Sequence, residues 1–392
     1  MLYFAFWACF LLVFYTYIGY AIVIYLLSKF WPYKNIKVLG LSREEFPELT
    51  LCIAAFNEAD IIAMKMQNCY DLNYPSDKLR ILWVIDGTTD NSYDLLREYS
   101  NVQVLFRKER LGKTAALNHA MSQIETDLVV FTDANCLLSK DALALIAKEF
   151  LDPEIGCVSG EKRVTYFEED ATSSKGEGFY WKYESFLKKL DNQYYSAVGA
   201  AGELFAIRTK LFVPVTEDIL LDDFVISMRI ASSGYRISYT PEAYAFERGS
   251  LNIEEEKKRK VRIAAGGWQS VWIFRNLLNI FKYGRLSFQF ISHRVLRWTI
   301  TPFALFLLLP LNLLIVFFQP HSHGIYIVSF VMQLVFYGLA GIGYIKRNDE
   351  KIRKMFFIPF YFLFMNINVL EGLIYLKNKS KSAVWEKSKR KS

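Results

Sequence analysis

The chain has 392 residues, of which 53% are hydrophobic, with a mean hydropathy of +0.15 and a formal net charge of +7. That apolar fraction exceeds what a soluble domain usually carries and is concentrated in a few segments, which excludes an ordinary soluble protein. The basic residues gather beside those segments, at Lys29, Lys34, Lys37 and Arg43, at Lys346, Arg347, Lys351, Arg353 and Lys354, and in a tail from Lys377, so they flank a membrane rather than track a nucleic acid.

Residues 2 to 27 hold no charge. Such a run is longer than the roughly 20 residues a helix needs to cross a bilayer, and it predicts an anchor over residues 1–30. A cleaved signal peptide would need a basic n-region and a small-residue cleavage site, and neither is present. Residues 48–270 are polar and read as α/β. Leu49 to Ala55, Arg80 to Ile85, Val102 to Phe106 and Asp127 to Thr132 are predicted strands, with helices from Ala59 to Tyr70, Asn91 to Tyr99, Lys113 to Ile124 and Lys140 to Phe150. Strand and helix alternate, which implies right-handed crossovers and a mostly parallel sheet. Beyond Cys157 the alternation weakens. Gly178 to Lys189 is an amphipathic segment with aromatics, suited to a bilayer surface or an acceptor groove.

A basic, aromatic stretch at 271–298 is predicted to be interfacial. Apolar segments follow at Thr299 to Phe318, Ile325 to Ile345 and Met355 to Leu376. The charge asymmetry places residues 29 to 298 in the cytosol, Gln319 to Gly324 outside and Lys346 to Lys354 inside again. The last segment leaves two readings open. If it spans, the basic tail at 377–392 ends outside; if it is re-entrant or interfacial, which Pro359, Asn366, Asn368 and Glu371 permit, the tail stays in. The five cysteines show neither a C-x-x-C pair nor a nearby His at ligand spacing, so no zinc site or disulfide framework is implied, and a reducing location fits.

Acidic residues end short apolar runs: Asp86 after Ile85, Asp133 after Thr132, and Asp222-Asp223 after Leu221. The crevice beyond the carboxyl ends of parallel strands is where such sheets bind ligands. Asp86 to Ser92 reads either as turn and helix-cap chemistry or as one wall of a nucleotide site. Ala54-Ala55-Phe56-Asn57-Glu58 opens on the same edge. Asp133-Ala134-Asn135 offers two oxygen ligands to a hard ion such as Mg²⁺ or forms a plain turn, and Lys113 offers a point charge to a phosphate. Asp222-Asp223 either caps the helix that follows or supplies a carboxylate of raised pKa that takes a proton from a hydroxyl. Gly199 to Glu203 allows close backbone approach to a ligand.

Together these motifs resemble those of membrane-bound family 2 glycosyltransferases of the GT-A fold, the group with the synthases of cellulose, hyaluronan and poly-N-acetylglucosamine. The resemblance covers about Leu49 to Gln269 and the flanking apolar segments. It implies a GT-A domain, Rossmann-like with a mostly parallel sheet, between N- and C-terminal transmembrane helices. It implies donor contacts at Ala55, Glu58, Asp86, Asp90, Lys113 and Asp133, and a Mg²⁺ or Mn²⁺ ion at Asp133 and Asn135 in the place of a D-x-D motif. Asp223 resembles the base of the family's acidic pair, with Asp222 beside it. Gly202, Glu203 and Arg208 resemble its acceptor loop, and Arg259 to Gln269, with Arg262, Trp268 and Gln269, resembles its Q-x-x-R-W region. Two departures stand out. Asn135 replaces the second Asp, and Arg259 and Ile263 replace the Gln and Trp, which argues against processive polymer synthesis.

The expectation is an inverting transferase that moves a sugar from a nucleotide diphosphate sugar, a UDP-sugar, to a lipid-linked or glycan acceptor at a bacterial inner membrane, with the catalytic domain in the cytosol and no nucleic-acid partner. A processive synthase that exports its polymer competes with it. A non-catalytic nucleotide-sugar-binding scaffold is disfavoured because Asp86, Asp133 and Asp223 are all present.

Overall fold

The computed structural model describes residues 1–33, 42–165, 172–249, 252–319, 324–349 and 352–378, and the side chains at 165, 172–180 and 248 fall outside that description. Most of the tail, residues 320–323 and Lys34, Lys37 and Lys351 therefore lie outside the described residues.

The N-terminal apolar run forms one continuous helix over Leu2–Phe30, made of α1 (Leu2–Phe14), a π turn at Tyr15–Gly19 and α2 (Tyr20–Phe30). The catalytic half follows with β1 (Leu49–Ala55), α3 (Ile62–Tyr70), β2 (Leu79–Asp86), α4 (Ser92–Arg97), β3 (Val102–Arg107), α5 (Lys113–Met121), β4 (Leu128–Asp133), β5 (Leu137–Leu138), α6 (Ala142–Glu149) and β6 (Ile155–Thr165). Then come α7 (Thr172–Tyr194), β7 (Leu204–Arg208), α8 (Asp222–Ser232), β8 (Arg236–Arg248) and α9 (Ile253–Ile273). The C-terminal third holds α10 (Ile280–Gln289), α11 (Leu296–Trp298), α12 (Ile300–Phe318), α13 (Gly324–Ile345) and α14 (Lys354–Asn378).

The eight strands form one mixed sheet in the order β3-β2-β1-β4-β7-β6-β8-β5. β3, β2, β1 and β4 run parallel, whereas β7 is antiparallel to both β4 and β6. Strands buried on both faces need no polar alternation. In β1, Leu49, Leu51 and Ile53 enter one apolar layer with α3 and α6, while Cys52 enters the other with α5 and α8. β2 does the same with Ile81, Trp83 and Ile85 on one side and Leu82 and Val84 on the other. The mostly parallel α/β expectation is met. β6, β7 and β8, where the sequence pattern weakened, complete the sheet.

The 271–298 stretch divides. Phe274, Leu277, Leu286, Phe290, Val295 and Trp298 belong to the α5–α8 core layer. Trp272 and Phe281 face outward, at 72% and 99% exposure.

Among the described residues four helices are long and apolar enough to cross a membrane: Leu2–Phe30, α12, α13 and α14. The first three hold to one another through Trp7 Nε1 donating to Tyr326 Oη at 3.0 Å and through the Thr16–Thr301 hydroxyl pair at 2.8 Å. α14 packs on α13, where Phe362 meets Phe336, and also lies along α9. Gly372 sits so close that an added Cβ would be 2.7 Å from that of Ala264, so only glycine fits there. Lys257 pairs with Glu371 at 2.8 Å, and the Tyr361 hydroxyl donates to Glu256 at 3.2 Å.

Candidate active site

Parallel register puts the strand ends level: Ala54 faces both Val84 and Asp133, and Ala55 faces Ile85, one residue before Asp86. Their loops therefore open on one edge of the sheet, and they are tied to each other. Asn57, with φ +54°, accepts from Thr89 N at 2.8 Å and from the Thr88 hydroxyl at 2.9 Å, and Glu58 N donates to Ser92 Oγ at 3.1 Å. Asp90 accepts from Thr88 Oγ1 at 2.6 Å, Ser92 N at 3.0 Å and Ala59 N at 3.1 Å. Partial burial opposes its charge, but these donors outweigh it and bring its pKa down to about 2. Asp90 thus serves as a brace between two loops. Asp86 accepts from Gly112 N at 2.6 Å and Leu111 N at 3.1 Å, which fixes the turn that opens α5. The capping reading and the site reading of these acids hold together, because the braced loops form the crevice.

Lys113, the first residue of α5, reaches across that crevice to Asp133 Oδ1 at 2.6 Å. Burial works against its ammonium, yet Asp133, Asp222 and Asp223 together raise its pKa above the usual lysine range. Three acids from two distant segments therefore share one electrostatic neighbourhood. Asp222 and Asp223 form the first turn of α8, where unpaired N–H groups and the helix dipole favour anions. Asp223 accepts from Phe224 N at 2.8 Å. Burial and then Asp222 push its pKa up to about 7, with Lys113 opposing. Asp222 Oδ2 is buried and accepts no hydrogen bond. A Cβ on Gly202 would lie 3.0 Å from Asp223 Oδ2, so glycine lets this backbone approach the carboxylate closely.

Glu203 accepts from Lys162 at 2.6 Å, and Lys162 also pairs with Glu247, which Arg259 meets at 3.5 Å. Arg262 on α9 is buried, which pulls its pKa down, while Asp222 first and then Asp133 and Asp223 hold it up. Gln269 accepts from Leu220 N at 3.0 Å and donates to Asp218 O at 3.0 Å, so it steadies the segment that leads into Asp222. Trp268 donates to Val369 O at 3.2 Å in the contact between α9 and α14, not into the cavity at Asp223. Arg208 donates to the carbonyls of Phe150 and Ile155, at 2.7 and 2.8 Å, and holds a turn.

For a divalent ion, Asp133 and Asn135 are half-buried neighbours at the strand end. The Lys113 ammonium on Asp133 shows that this carboxylate takes a cation. Asp133, Cys136 and Glu247 also bring ligand atoms within 4.8 Å of one another. Cys136 and Glu247 are buried, and Glu247 already meets two cations, so the donor set that suits a hard ion is Asp133 with Asn135 and a diphosphate.

A cavity of about 420 Å³ runs from Asp223 and Gly202 past Ile263 and Trp298 to Tyr17, Phe362 and Asn366 of the apolar helices. Sequence reasoning missed Lys162, Arg294, Arg297 and Trp298 on its walls, whereas Trp181 and Lys188 belong to the 178–189 segment expected at a bilayer surface or an acceptor groove. Glu184, buried and ion-paired with Arg294 at 2.5 Å and Arg297 at 3.1 Å, ties two of those walls together. Isolated charges among the aromatics of 179–186 and 290–298 were the available signal.

The Glycosyl transferase family 2 model matches residues 50–213. The poly-β-1,6-N-acetyl-D-glucosamine synthase of Staphylococcus aureus is 27% identical over 245 residues, 60% of this chain and 58% of that protein. The β-monoglucosyldiacylglycerol synthase of Synechocystis is 26% identical over 239 residues, 57% of this chain and 48% of that protein. The chain thus spans about half the length of the curated relatives it matches. In fold it is similar to the mannosyltransferase PcManGT of Pyrobaculum calidifontis, solved with GDP-Man and Mn²⁺, with a TM-score of 0.70 and 21% identity over 96% of this chain and 99% of that one.

Proposed function

The chain belongs to glycosyltransferase family 2 and carries a GT-A catalytic domain, and from that premise we propose that it transfers a sugar, with inversion, from a nucleotide diphosphate sugar to a lipid-linked acceptor at a membrane. One observation carries the reading: the cavity that holds Asp223 is also lined by the apolar helices, through Tyr17 and through Phe357, Phe362 and Met365 of α14. A base and a lipid-facing wall in one cavity suit an amphiphilic acceptor. The Synechocystis relative, named for a glycolipid product, is consistent with this.

In this reading Asp223 takes the proton of the acceptor hydroxyl as that oxygen attacks the anomeric carbon in line, and the nucleoside diphosphate departs. A pKa near 7 suits the task, since the group is ionised in useful amount at neutral pH yet basic enough to accept a proton. Lys113 and Arg262 face the charge that develops on the diphosphate. Asp133 and Asn135 would hold a Mg²⁺ or Mn²⁺ ion, which when bound neutralises diphosphate charge as a Lewis acid. Asp86 and Asp90 keep the nucleotide crevice in shape through the loops they brace. Trp181 and Trp298, both on the cavity wall, offer the stacking faces that Ile263 lacks.

The donor is taken to be a UDP-sugar, from the resemblance to the polysaccharide synthases, and the membrane to be a bacterial inner membrane with the catalytic domain in the cytosol. Purified full-length protein in lipid nanodiscs, incubated with a panel of UDP- and GDP-sugars, tests the reading by release of nucleoside diphosphate. Release from one UDP-sugar with a labelled lipid product is expected. No release from any donor would refute catalysis and favour a binding scaffold.

A further inference from the structure

One side chain on the cavity wall is left over by this chemistry. Lys188, on α7, is 4% exposed, lines the cavity, and makes no hydrogen bond or ion pair among the described residues. Its ammonium is held only between aromatic rings, 5.7 Å from the centroids of Trp181 and of Tyr239. Glu184, one helical turn earlier, supports its charge from a distance, as do Glu161 and Glu203, but none of them forms an ion pair with it. The Glu184 carboxylate is already shared by Arg294, Arg297 and His293 Nε2, the last at 3.3 Å. The neighbouring cations differ: Lys162 has Glu203 and Glu247, and Lys260 has Glu256 at 3.4 Å. A desolvated ammonium without an ion pair destabilises a fold, and Gln or Met at this position would avoid the cost. Its place at the open space of the cavity gives it a use. Burial lowers its pKa, and an anion beside it would restore its charge.

The geometry points to an acceptor that is an anionic membrane lipid with a free hydroxyl: its hydroxyl at Asp223, its negative headgroup at Lys188 beside Arg294 and Arg297, and its hydrocarbon along Phe357, Phe362 and Met365 of α14. This rests on the transferase reading above and narrows its acceptor. A neutral lipid or neutral glycan would leave Lys188 unmatched, whereas a phosphate diester headgroup supplies the missing charge. In the transfer the hydroxyl oxygen bonds to the anomeric carbon, the anomeric bond to the diphosphate breaks with its electron pair leaving on the nucleoside diphosphate, and the hydroxyl proton goes to Asp223.

The test uses full-length protein in phosphatidylcholine nanodiscs with three additives: phosphatidylglycerol, which has charge and hydroxyl; diacylglycerol, which has hydroxyl alone; and phosphatidic acid, which has charge alone. Lipid glycoside and nucleoside diphosphate are measured separately. Phosphatidylglycerol is expected to be glycosylated with a KM at least about tenfold below that of diacylglycerol, and phosphatidic acid to compete with it. Lys188→Met should raise the phosphatidylglycerol KM about tenfold while kcat changes little, and Lys188→Arg should restore the preference. Equal use of both hydroxyl lipids, or a preference that survives in Lys188→Met, overturns the inference. Equal use of soluble glycerol phosphate overturns its lipid part. Donor hydrolysis without any lipid glycoside sinks the lipid acceptor but leaves the transferase standing, and absence of donor turnover sinks the transferase reading itself. Should Lys188→Met fail to fold, competition by phosphatidic acid on the unaltered protein still decides.

Discussion

At the scale of single residues, the sharpest expectation concerns Asp223. Asp223→Asn is nearly isosteric and keeps the acceptor for Phe224 N, so it should lower turnover by roughly 10²- to 10⁴-fold with donor affinity largely kept. Asp222→Asn should cost less, since Asp222 acts on the neighbouring charges. Turnover near that of the unaltered protein in Asp223→Asn would remove Asp223 from the chemistry. The raised pKa also fixes a pH dependence. The base form of Asp223 appears as pH rises through about 7, so kcat/KM should climb with unit slope below that pH and level off above it. The folded protein then holds this proton more tightly than the unfolded chain does. Stability from this group therefore falls as pH rises from the ordinary carboxylate range to about 7, which a series of unfolding titrations would detect. For the ion, excess EDTA should abolish activity, and Asp133→Ala should weaken both Mn²⁺ and donor binding by calorimetry. Full activity in chelator would exclude a metal role.

At the scale of elements, α14 is the informative one. Its composition permits a span, but its contacts run from Phe357, which shares an apolar cluster with Ile253, to Gly372 against Ala264, a distance of about 16 Å along α9. α9 carries Glu254 to Lys260 and Arg262, charges that do not lie in hydrocarbon. A helix paired along such a partner stays with the catalytic domain, and Asn366, bonded to the Tyr17 hydroxyl at 2.6 Å, is satisfied by protein rather than lipid. The expected outcome is that a cysteine at Asn378 reacts with an impermeant reagent from the same side as one placed at the exposed Lys210. Labelling from opposite sides would mean that α14 spans. The amphipathic α7 has a comparable surprise. Tyr20 of α2 donates to its Asp191 at 2.5 Å, and Leu187 and Leu190 pack on Tyr20 and Ile24, so the anchor is bolted directly to the catalytic domain.

For the whole molecule, the question is product length. In the proposed reading Ile263, in place of the motif tryptophan, weakens one hold on a growing chain, and Trp298 and Trp181 on the cavity wall provide others. Sizing of labelled product at low enzyme concentration is expected to give addition of one or a few sugars. Long chains formed while most acceptor is unused would show processive synthesis.

The sequence by itself determined the four parallel strands β1 to β4, the acids at the ends of apolar runs and the apolar helices, because each is written in neighbouring residues: apolar runs without alternation, a carboxylate where a run stops, charge-free stretches long enough to span. Boundaries shifted by a few residues, as at α3, where the turn from Glu58 to Ile61 delays the helix to Ile62. Only the tertiary structure decided what surrounds Asp223. Lys162, Lys188, Trp298 and Tyr17 are far apart in the chain and show no shared period, and they meet because α7 packs on α2, β6 and β8 while the 290–298 stretch packs on α9. The same holds for Asp86 and Asp90, whose partners, Gly112 N and Ala59 N, are backbone groups on other loops. Local pattern records which face a residue shows to its own element, whereas the identity of what lies opposite depends on how elements of distant sequence pack, and no window of sequence contains that.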